Sequence, residues 1–491
     1  MRSIKVPFLN YLAIFYFIIG NLSLVAQQPE ALSPEVLKKI KLVEENLGES
    51  IKTSNTPIIL QERMKEYNIP GLSIAVIKDF KVEWAKGYGF ADLQKKIPVT
   101  TQTLFQAASI NKSLNGLGVL KLVEQKKLDL DQDINNYLTS WKFPYDTAKT
   151  KSKITSKILL SHSAGLSVHG FRGYAPGEAI PDLVQILNGE APANSAPVRS
   201  MFEAGTKVQY SGGGTTISQL LVMDITKQAY HQYMQMNVLK PLHMINSFYT
   251  VPPPANRTSL LATGYRREGG EVDGKFHFYP EQAAASLWTN PIELCQFIIE
   301  MQLALEGKSK YLSKETATIM VTPFMDEAAL GVFIKNVGED KYFNHGGANE
   351  GFRCQYYGSL EGGNGVVVMV NSDNGAIIEE IINSVATVYG WKDFYKPQIR
   401  LIVPVADDVL DTYAGEYQLA PEFKIKITRE GHALKVEATN QPVFDLFAEA
   451  QNKFFLKVVD AQIEFLKDDS NKIAKLILYQ NGQVMNAEKI R

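Results

Sequence analysis

The sequence contains few cysteines. Only two, Cys295 and Cys354, occur in 491 residues, and their spacing matches no zinc or redox motif. In an oxidising compartment they could form a disulfide, but two separate buried thiols are the more common outcome for such a pair. We therefore predict no metal site, and the pattern favours free thiols without excluding a disulfide.

Charge of one sign is also lacking, as are several catalytic motifs. The chain has 51 basic and 52 acidic residues, a net charge of −1, and no long run of either sign. A nucleic-acid partner is therefore not expected, because such proteins carry a basic footprint. The sequence has no Gly-x-Ser-x-Gly, no His-Glu-x-x-His and no P-loop. Their absence disfavours an α/β-hydrolase, a zinc protease of that class and an NTPase.

The first residues resemble a targeting segment. Arg2 and Lys5 precede an almost wholly apolar stretch at 6–25, and a small residue, Ala26, comes before a polar continuation. This pattern predicts a signal peptide at 1–26 and hence a secreted or periplasmic protein. An uncleaved membrane anchor is the alternative, since about 20 apolar residues can span a bilayer. After cleavage we expect no stable membrane span.

Hydrophobic periodicity predicts an α+β fold at 30–395. A helical lead-in covers 30–56, the middle at 100–330 reads as mostly helical, and a helix follows at 376–389. Apolar strand patterns lie on either side of the middle, at residues 72–77, 81–88, 352–357 and 365–371. We therefore expect an α/β sandwich, in which strands from both ends of the chain form one antiparallel sheet with helices packed on it.

The C-terminal part has a different pattern. Residues 396–407 read as a linker, and 408–491 contain short segments with alternating apolar residues. Such alternation with turns between the segments predicts a small all-β antiparallel domain, either a sheet or a barrel. Strands are predicted at 423–427, 433–438, 453–458, 462–465 and 474–478.

The candidate nucleophile lies in the one Ser-x-x-Lys of the chain, formed by Ser109 and Lys112. Apolar residues follow up to Val123, so the motif begins a buried helix and places both side chains on one face. A neighbouring desolvated lysine can take the proton of a serine hydroxyl, and a helix N-terminus favours an oxyanion. An isolated match is more often a helix N-cap beside a solvated lysine.

Two downstream segments strengthen the catalytic interpretation. Tyr210 precedes the glycine run at 212–214, and a tyrosine beside a lysine can relay protons. His345 is followed by Gly346 and Gly347 and then by a strand, an arrangement that can present a side chain and a free backbone N–H to an oxyanion. Taken alone, each segment is more often structural.

Together these segments resemble the β-lactamase-related serine hydrolases, which include class C β-lactamases, penicillin-binding DD-peptidases and esterases. The three motifs follow in the order found in this family: Ser-x-x-Lys, a Tyr-x-Asn-like element and Lys/His-x-Gly. The short segments at 70–76, 127–131 and 159–166 also resemble the family. The resemblance covers about 57–390, and the tail resembles a small β-rich domain that often follows in such proteins.

The resemblance implies a role for each motif residue. Ser109 would be the acylated nucleophile, Lys112 its proton partner and Tyr210 a general base or proton relay. His345 would be the basic residue of the third motif, and the backbone N–H groups of Ser109 and Ala348 would form the oxyanion hole. No cofactor is implied, because acyl transfer of this kind uses side chains and backbone amides alone.

The chain departs from the family pattern at two of its expected substrate-binding positions. Gly212 stands in place of the asparagine of Tyr-x-Asn, and His345 in place of lysine, next to the substrate-binding Gly346 and Gly347. Near neutral pH a histidine is charged only if its pKa lies above the pH. If His345 acts in its protonated form, substrate binding should weaken above its pKa. Both departures weaken recognition of a β-lactam but leave the acylation residues in place.

The leading hypothesis is a serine hydrolase that cleaves a small-molecule ester or amide, including D-amino-acid-containing peptides, through a Ser109 acyl-enzyme. The alternative is a catalytically weak or inactive scaffold or binding protein that retained the fold. The departures at Gly212 and His345 motivate this alternative.

Overall fold

The computed structural model describes residues 32–490 of the chain. The predicted signal peptide at 1–26 lies outside the described residues. Between residues 34 and 399 the strands are β1 (Ile51–Lys52), β2 (Gly71–Lys78), β3 (Lys81–Asp92), β4 (Ile97–Pro98), β5 (Phe105–Gln106), β6 (Trp288–Thr289), β7 (Phe333–Val337), β8 (Asp340–Asn349), β9 (Phe352–Ser359), β10 (Gly365–Val370) and β11 (Gln398–Ile399).

The α-helices of the same part of the chain are α1 (Pro34–Glu45), α2 (Leu60–Glu66), α3 (Asn111–Glu124), α4 (Ser156–Leu160), α5 (Leu183–Asn188), α6 (Gly212–Thr226), α7 (Tyr230–Met234), α8 (Gln282–Ala285), α9 (Pro291–Leu305), α10 (Lys314–Val321) and α11 (Ala376–Val388). Short 3₁₀ helices cover Ala108–Ile110, Ile134–Asn136 and Ala255–Leu260, and a π-helical turn covers Gln235–Leu239.

A seven-stranded antiparallel sheet, in the order β4-β3-β2-β10-β9-β8-β7, forms the centre of this part. The N-terminal β2 pairs with the C-terminal β10, so the sheet joins the two ends of the chain. Alternate residues face opposite sides. On β2, Ile74 and Val76 belong to a core with α1 and α11, whereas Ala75 and Ile77 belong to a core with α3 and α9. The predicted fold class is therefore confirmed.

The middle of the chain is less helical than predicted. Long loops separate α4, α5 and α6, and residues 240–281 contain only a short 3₁₀ helix among the described elements. Prolines at 252–254 and several glycines interrupt this stretch, and both residue types disfavour a helix interior. The loop before α6 carries Tyr210, which belongs to the site described below.

The C-terminal part begins with α12 (Asp407–Tyr413) and continues as a closed antiparallel barrel. The barrel strands are β12 (Gly415–Ala420), β13 (Phe423–Glu430), β14 (Ala433–Ala438), β15 (Val443–Ala448), β16 (Lys453–Phe455), β17 (Ala461–Lys467), β18 (Ile473–Gln480) and β19 (Gln483–Lys489). Closure occurs where β12 pairs with β19. The small all-β domain is thus confirmed as a barrel, with strands β12, β15 and β19 in addition to those predicted.

The segment predicted as a linker contacts both parts of the chain. Its β11 pairs in parallel with β1, and Arg400 forms an ion pair with Glu449 of the barrel at 2.5 Å. Within residues 32–490, no helix is long and apolar enough to cross a membrane. Cys295 and Cys354 are both buried and carry free thiols.

Candidate active site

Ser109 and Lys112 meet at the start of α3. Ser109 lies in the 3₁₀ turn that leads into the helix, and Lys112 is 3% exposed. The Lys112 ammonium donates to Ser109 Oγ at 2.9 Å and to the carbonyl oxygen of Ala284 at 3.0 Å. No carboxylate in the described part of the chain forms an ion pair with Lys112. Its polar partners are therefore the candidate nucleophile and one carbonyl.

The backbone segment 280–286, which includes α8, holds Lys112 in this position. Asn111 and Asn349 donate hydrogen bonds from their side chains to carbonyls of this segment. Gln219 of α6 accepts from one of its N–H groups at 2.9 Å. The segment is thus fixed by side chains from α3, α6 and β8 together. Sequence reasoning missed these three amides, because no local pattern distinguishes them.

Tyr210 lies directly before the N-cap of α6. The Lys112 ammonium is 5.0 Å from the centre of its ring. The ring also packs against His162, with ring centres 4.3 Å apart, and against Phe333 at 6.4 Å. Its hydroxyl forms no hydrogen bond within the described residues. It lines the same cavity as Ser109 and so remains available to a substrate.

His162 supports Tyr210 and was missed as a site residue. Its Nδ1 accepts a hydrogen bond from the backbone N–H of Ser211 at 3.2 Å, which fixes the ring beside Tyr210. Complete burial, together with the nearby Lys112 and His345, holds the pKa of His162 well below its ordinary value. The imidazole is therefore neutral. The segment at 159–166 contains His162, but the distance of His162 from Tyr210 along the sequence does not indicate that the two side chains are in contact.

His345 lies on β8, opposite Tyr356 of β9, with its side chain on the same sheet face as α3. It is 3% exposed, and its Nδ1 lies 2.6 Å from the carbonyl oxygen of Gly346. Burial, reinforced by the charge of Lys112, lowers the pKa of His345 to about 3. This contradicts the hypothesis of a protonated His345 near neutral pH. The third-motif residue is present, but it is a neutral imidazole.

The edge of β8 is free beside the nucleophile. Pairing of β7 with β8 ends at Asn344, so the backbone of 345–349 has a neighbouring strand on one side only. Ala348 is exposed on this edge and lines the cavity together with Ser109. Edge N–H groups of a strand can bind an oxyanion. The oxyanion hole formed by Ser109 and Ala348 stays a prediction.

Gly347 permits the strand to approach the nucleophile turn. A Cβ atom on Gly347 would lie 2.4 Å from the carbonyl oxygen of Ala107 and 2.4 Å from the Cys354 sulfur. Both distances are far inside van der Waals contact. Glycine is therefore required where β8 crosses the turn that carries Ser109.

Gly212 was predicted to bind substrate, and this role stays a prediction. It is the first residue of α6, and its N–H donates to the carbonyl oxygen of His169 at 3.1 Å. A Cβ atom here would meet the Phe171 ring at 3.0 Å. Gly212 lies under the 169–171 loop and is absent from the lining of the Ser109 cavity. Gly346 and Gly347 do line that cavity.

These features define the class of protein. A buried helix that begins at Ser-x-x-Lys and packs on an antiparallel sheet built from both chain ends is the arrangement of the β-lactamase and DD-peptidase fold. A family model described as Beta-lactamase matches residues 59–381, and the chain belongs to this family. A second model, described as a domain of unknown function (DUF3471), matches residues 403–489.

Several known proteins are similar to this chain. Protein flp of Staphylococcus aureus (strain N315) is 25% identical over 358 residues, which cover 70% of each chain. The octameric penicillin-binding protein homologue from Pyrococcus abyssi has a TM-score of 0.58 and 20% identity, covering 87% of this chain and 98% of its own. The D-amino acid amidase from Ochrobactrum anthropi SV3, in complex with L-phenylalanine amide, has a TM-score of 0.55 and 18% identity, covering 67% and 97%. The two solved structures establish the fold.

Substitution of Gly347 tests the close approach of β8 to the nucleophile. In Gly347→Ala the added methyl group meets a backbone oxygen, so the strand must move away from Ser109. We expect the rate of Ser109 acylation by an activated ester to fall about 100-fold, because misplaced groups stabilise a transition state poorly. Gly270→Ala is the matched control, since the nearest atom to its Cβ is 4.0 Å away. Equal acylation rates in the two variants would contradict the argument.

A buried acid lies in the segment that binds Lys112. Glu281 is fully buried, and neither of its carboxyl oxygens has a hydrogen-bond partner in the described part of the chain. Burial raises the pKa of Glu281 from 4.5 to about 8. The folded protein therefore favours the protonated carboxyl, whereas the unfolded chain releases this proton at a lower pH. As the pH rises from 4.5 to 8, the contribution of Glu281 to the free energy of unfolding therefore falls progressively.

Glu281→Gln should remove this pH dependence, because glutamine stays neutral throughout. The difference in melting temperature, variant minus wild type, should be larger at pH 8 than at pH 5. We expect the increase to be about 3 °C or more. Thermal melts at the two pH values measure this double difference. Glu268→Gln, at an exposed position, should show none. If the melting temperature of Glu281→Gln differs from that of wild type by the same amount at both pH values, ionisation of the buried acid is not the cause of the difference.

Proposed function

We propose that this protein is a serine hydrolase that cleaves an ester or amide, including D-amino-acid-containing peptides, through a Ser109 acyl-enzyme. The observation that carries the proposal is the 2.9 Å contact between the Lys112 ammonium and Ser109 Oγ. A lysine buried beside a serine, without a carboxylate partner, is placed to exchange a proton with it. A structural lysine at this depth would be expected to pair with an acid.

The geometry suggests a role for each group in the reaction. The neutral amine form of Lys112, with Tyr210 beside it, accepts the Ser109 proton as Oγ attacks the carbonyl carbon. The oxyanion forms between the backbone N–H groups of Ser109 and Ala348. Tyr210 then protonates the leaving group as the tetrahedral intermediate collapses, and the Lys112 ammonium returns its proton to Tyr210. Water hydrolyses the acyl-enzyme through the same groups in reverse order.

The substrate is proposed to be other than a β-lactam. Neither Gly212 nor His345 supplies the amide or the cation expected in the family pattern, and His345 is neutral near pH 7. An amide or ester substrate needs only the acylation groups and a cavity of suitable shape. The fold shared with a D-amino acid amidase supports the inclusion of amides among the substrates.

Covalent labelling tests the nucleophile. A fluorophosphonate probe should phosphonylate Ser109, and intact mass followed by peptide mapping should locate the adduct. Ser109→Ala should abolish labelling and lower hydrolysis of a p-nitrophenyl ester by about 10³-fold or more. Ser470→Ala, which changes an exposed barrel serine, is the control. Absence of both labelling and ester hydrolysis in a folded wild-type protein would favour the scaffold alternative.

We also propose that the protein is exported, on the basis of the charged, apolar and small-residue pattern at 1–26. Expression of the full chain followed by cell fractionation should recover the protein outside the cytoplasm. N-terminal sequencing should then begin at Gln27. A protein that retains Met1 and stays with the membrane fraction would instead support an uncleaved anchor.

A further inference from the structure

The cavity that contains Ser109 continues around the free edge of β8 to the opposite face of the sheet. Its volume is about 570 Å³. Ser109, Tyr210 and His345 line it on the α3 side. On the α11 side lies a second compartment, the far lobe, lined by Lys335, Gln355, Tyr357, Ile378, Glu379 and Phe394. A molecule with its carbonyl at Ser109 could therefore extend into the far lobe.

Gly346 keeps the passage between the two compartments open. Side chains alternate along β8, so His345 and Gly347 face Ser109 whereas position 346 faces the far lobe. Gly346 pairs with Gln355 of β9, and a Cβ atom on it would lie 2.6 Å from Gln355 Oε1. A larger residue at this position would project into the space beside Gln355.

The far lobe contains a lysine without an acidic partner. Lys335 is half-buried, and its ammonium lies 4.5 Å from the centre of the Phe394 ring and 5.2 Å from that of Tyr357. No carboxylate oxygen in the described residues lies within 4.0 Å of it. Burial lowers the pKa of Lys335, although the more distant Glu379 and Glu327 act in the opposite direction. The ammonium thus lacks the compensation that a buried charge normally has.

The other candidate cations of the cavity are already engaged. Arg353 forms an ion pair with Asp373 at 2.9 Å and donates to the carbonyl of Phe352 at 2.8 Å. His345 is neutral, as argued above. Lys335 is therefore the cation along this wall that can accept a new anionic partner.

We propose that Lys335 binds a carboxylate of the substrate, so that the preferred substrates are anionic esters or amides with an apolar portion next to the carboxylate. The apolar portion packs on Tyr357, Ile378 and Phe394, and the carboxylate accepts a charge-assisted hydrogen bond from Lys335. Glu379 lines the same lobe and repels an anion, although its carboxylate also accepts a hydrogen bond from the Ser50 hydroxyl at 3.3 Å. The inference rests on the proposed function for the reacting end of the substrate.

Paired substrates test this specificity. One pair carries the charge in the acyl group: the p-nitrophenyl half-ester of adipic acid and its methyl ester. The other carries it in the leaving group: 4-acetoxybenzoate and its methyl ester. In at least one pair, the ratio of kcat/KM for the acid to that for the methyl ester should fall about 10-fold or more in Lys335→Met. Lys335→Arg should restore most of the ratio.

Two further variants sharpen the test. Glu379→Gln should shift the ratio in the opposite direction, since it removes a repelling charge. Lys341→Met, at an exposed lysine of β8 outside the cavity lining, should leave the ratio unchanged. Ratios that are the same in wild type and Lys335→Met for both substrate pairs would overturn the proposal.

A binding measurement separates this inference from the proposed catalytic function. Calorimetry with 4-phenylbutyrate as the probe, on Ser109→Ala, requires no turnover. Binding should weaken about 10-fold or more when Lys335→Met is added and should be retained with Lys335→Arg. If wild type hydrolyses no ester yet this binding pattern holds, the catalytic proposal fails and the carboxylate site stands. If esters are hydrolysed and the binding is insensitive to Lys335, only the carboxylate site fails.

Discussion

Burial of the Lys112 ammonium beside Ser109 is the constraint on which the arrangement of the site depends. A cation removed from water needs compensating partners, and here they are the serine hydroxyl, one carbonyl and the face of Tyr210. The carbonyl must be held in place, which accounts for the amides that fix segment 280–286. The same charge acts on both neighbouring imidazoles and opposes their protonation. One buried lysine thus sets the electrostatics of the whole site.

The local features of the fold could be predicted from the sequence. The start of α1 at Ser33 and Pro34, the apolar runs of β2 and β10, and the helix after Ser109 follow from patterns within a few residues. In the barrel, strict alternation identified five strands. It missed β12, β15 and β19, whose burial patterns are irregular, and α12, which is a single short helix.

Long-range features of the site required more than local patterns. Ser109, Tyr210 and His345 come from distant parts of the chain, and only the resemblance to a family suggested that they meet. His162 packs against Tyr210, and Asn349 donates a hydrogen bond to segment 280–286, but spacing along the sequence reveals neither contact. The charge state of His345 also escaped prediction, because it depends on burial and on Lys112 rather than on the residue type. Conversely, Gly212 matched a motif by position but lies beneath a loop.

Strand β8 links chemistry and recognition because its side chains alternate. His345 and Gly347 face the nucleophile, while Gly346 faces the far lobe, so consecutive residues serve two compartments. Glycine meets different needs at the two positions: at 347 it lets the strand touch the nucleophile turn, and at 346 it leaves space beside Gln355. Position 345 carries a neutral imidazole, whereas Lys335 on β7 carries a cation without an acidic partner among the described residues. The cation of the far lobe is thus Lys335, on the opposite face of the sheet from the buried Lys112.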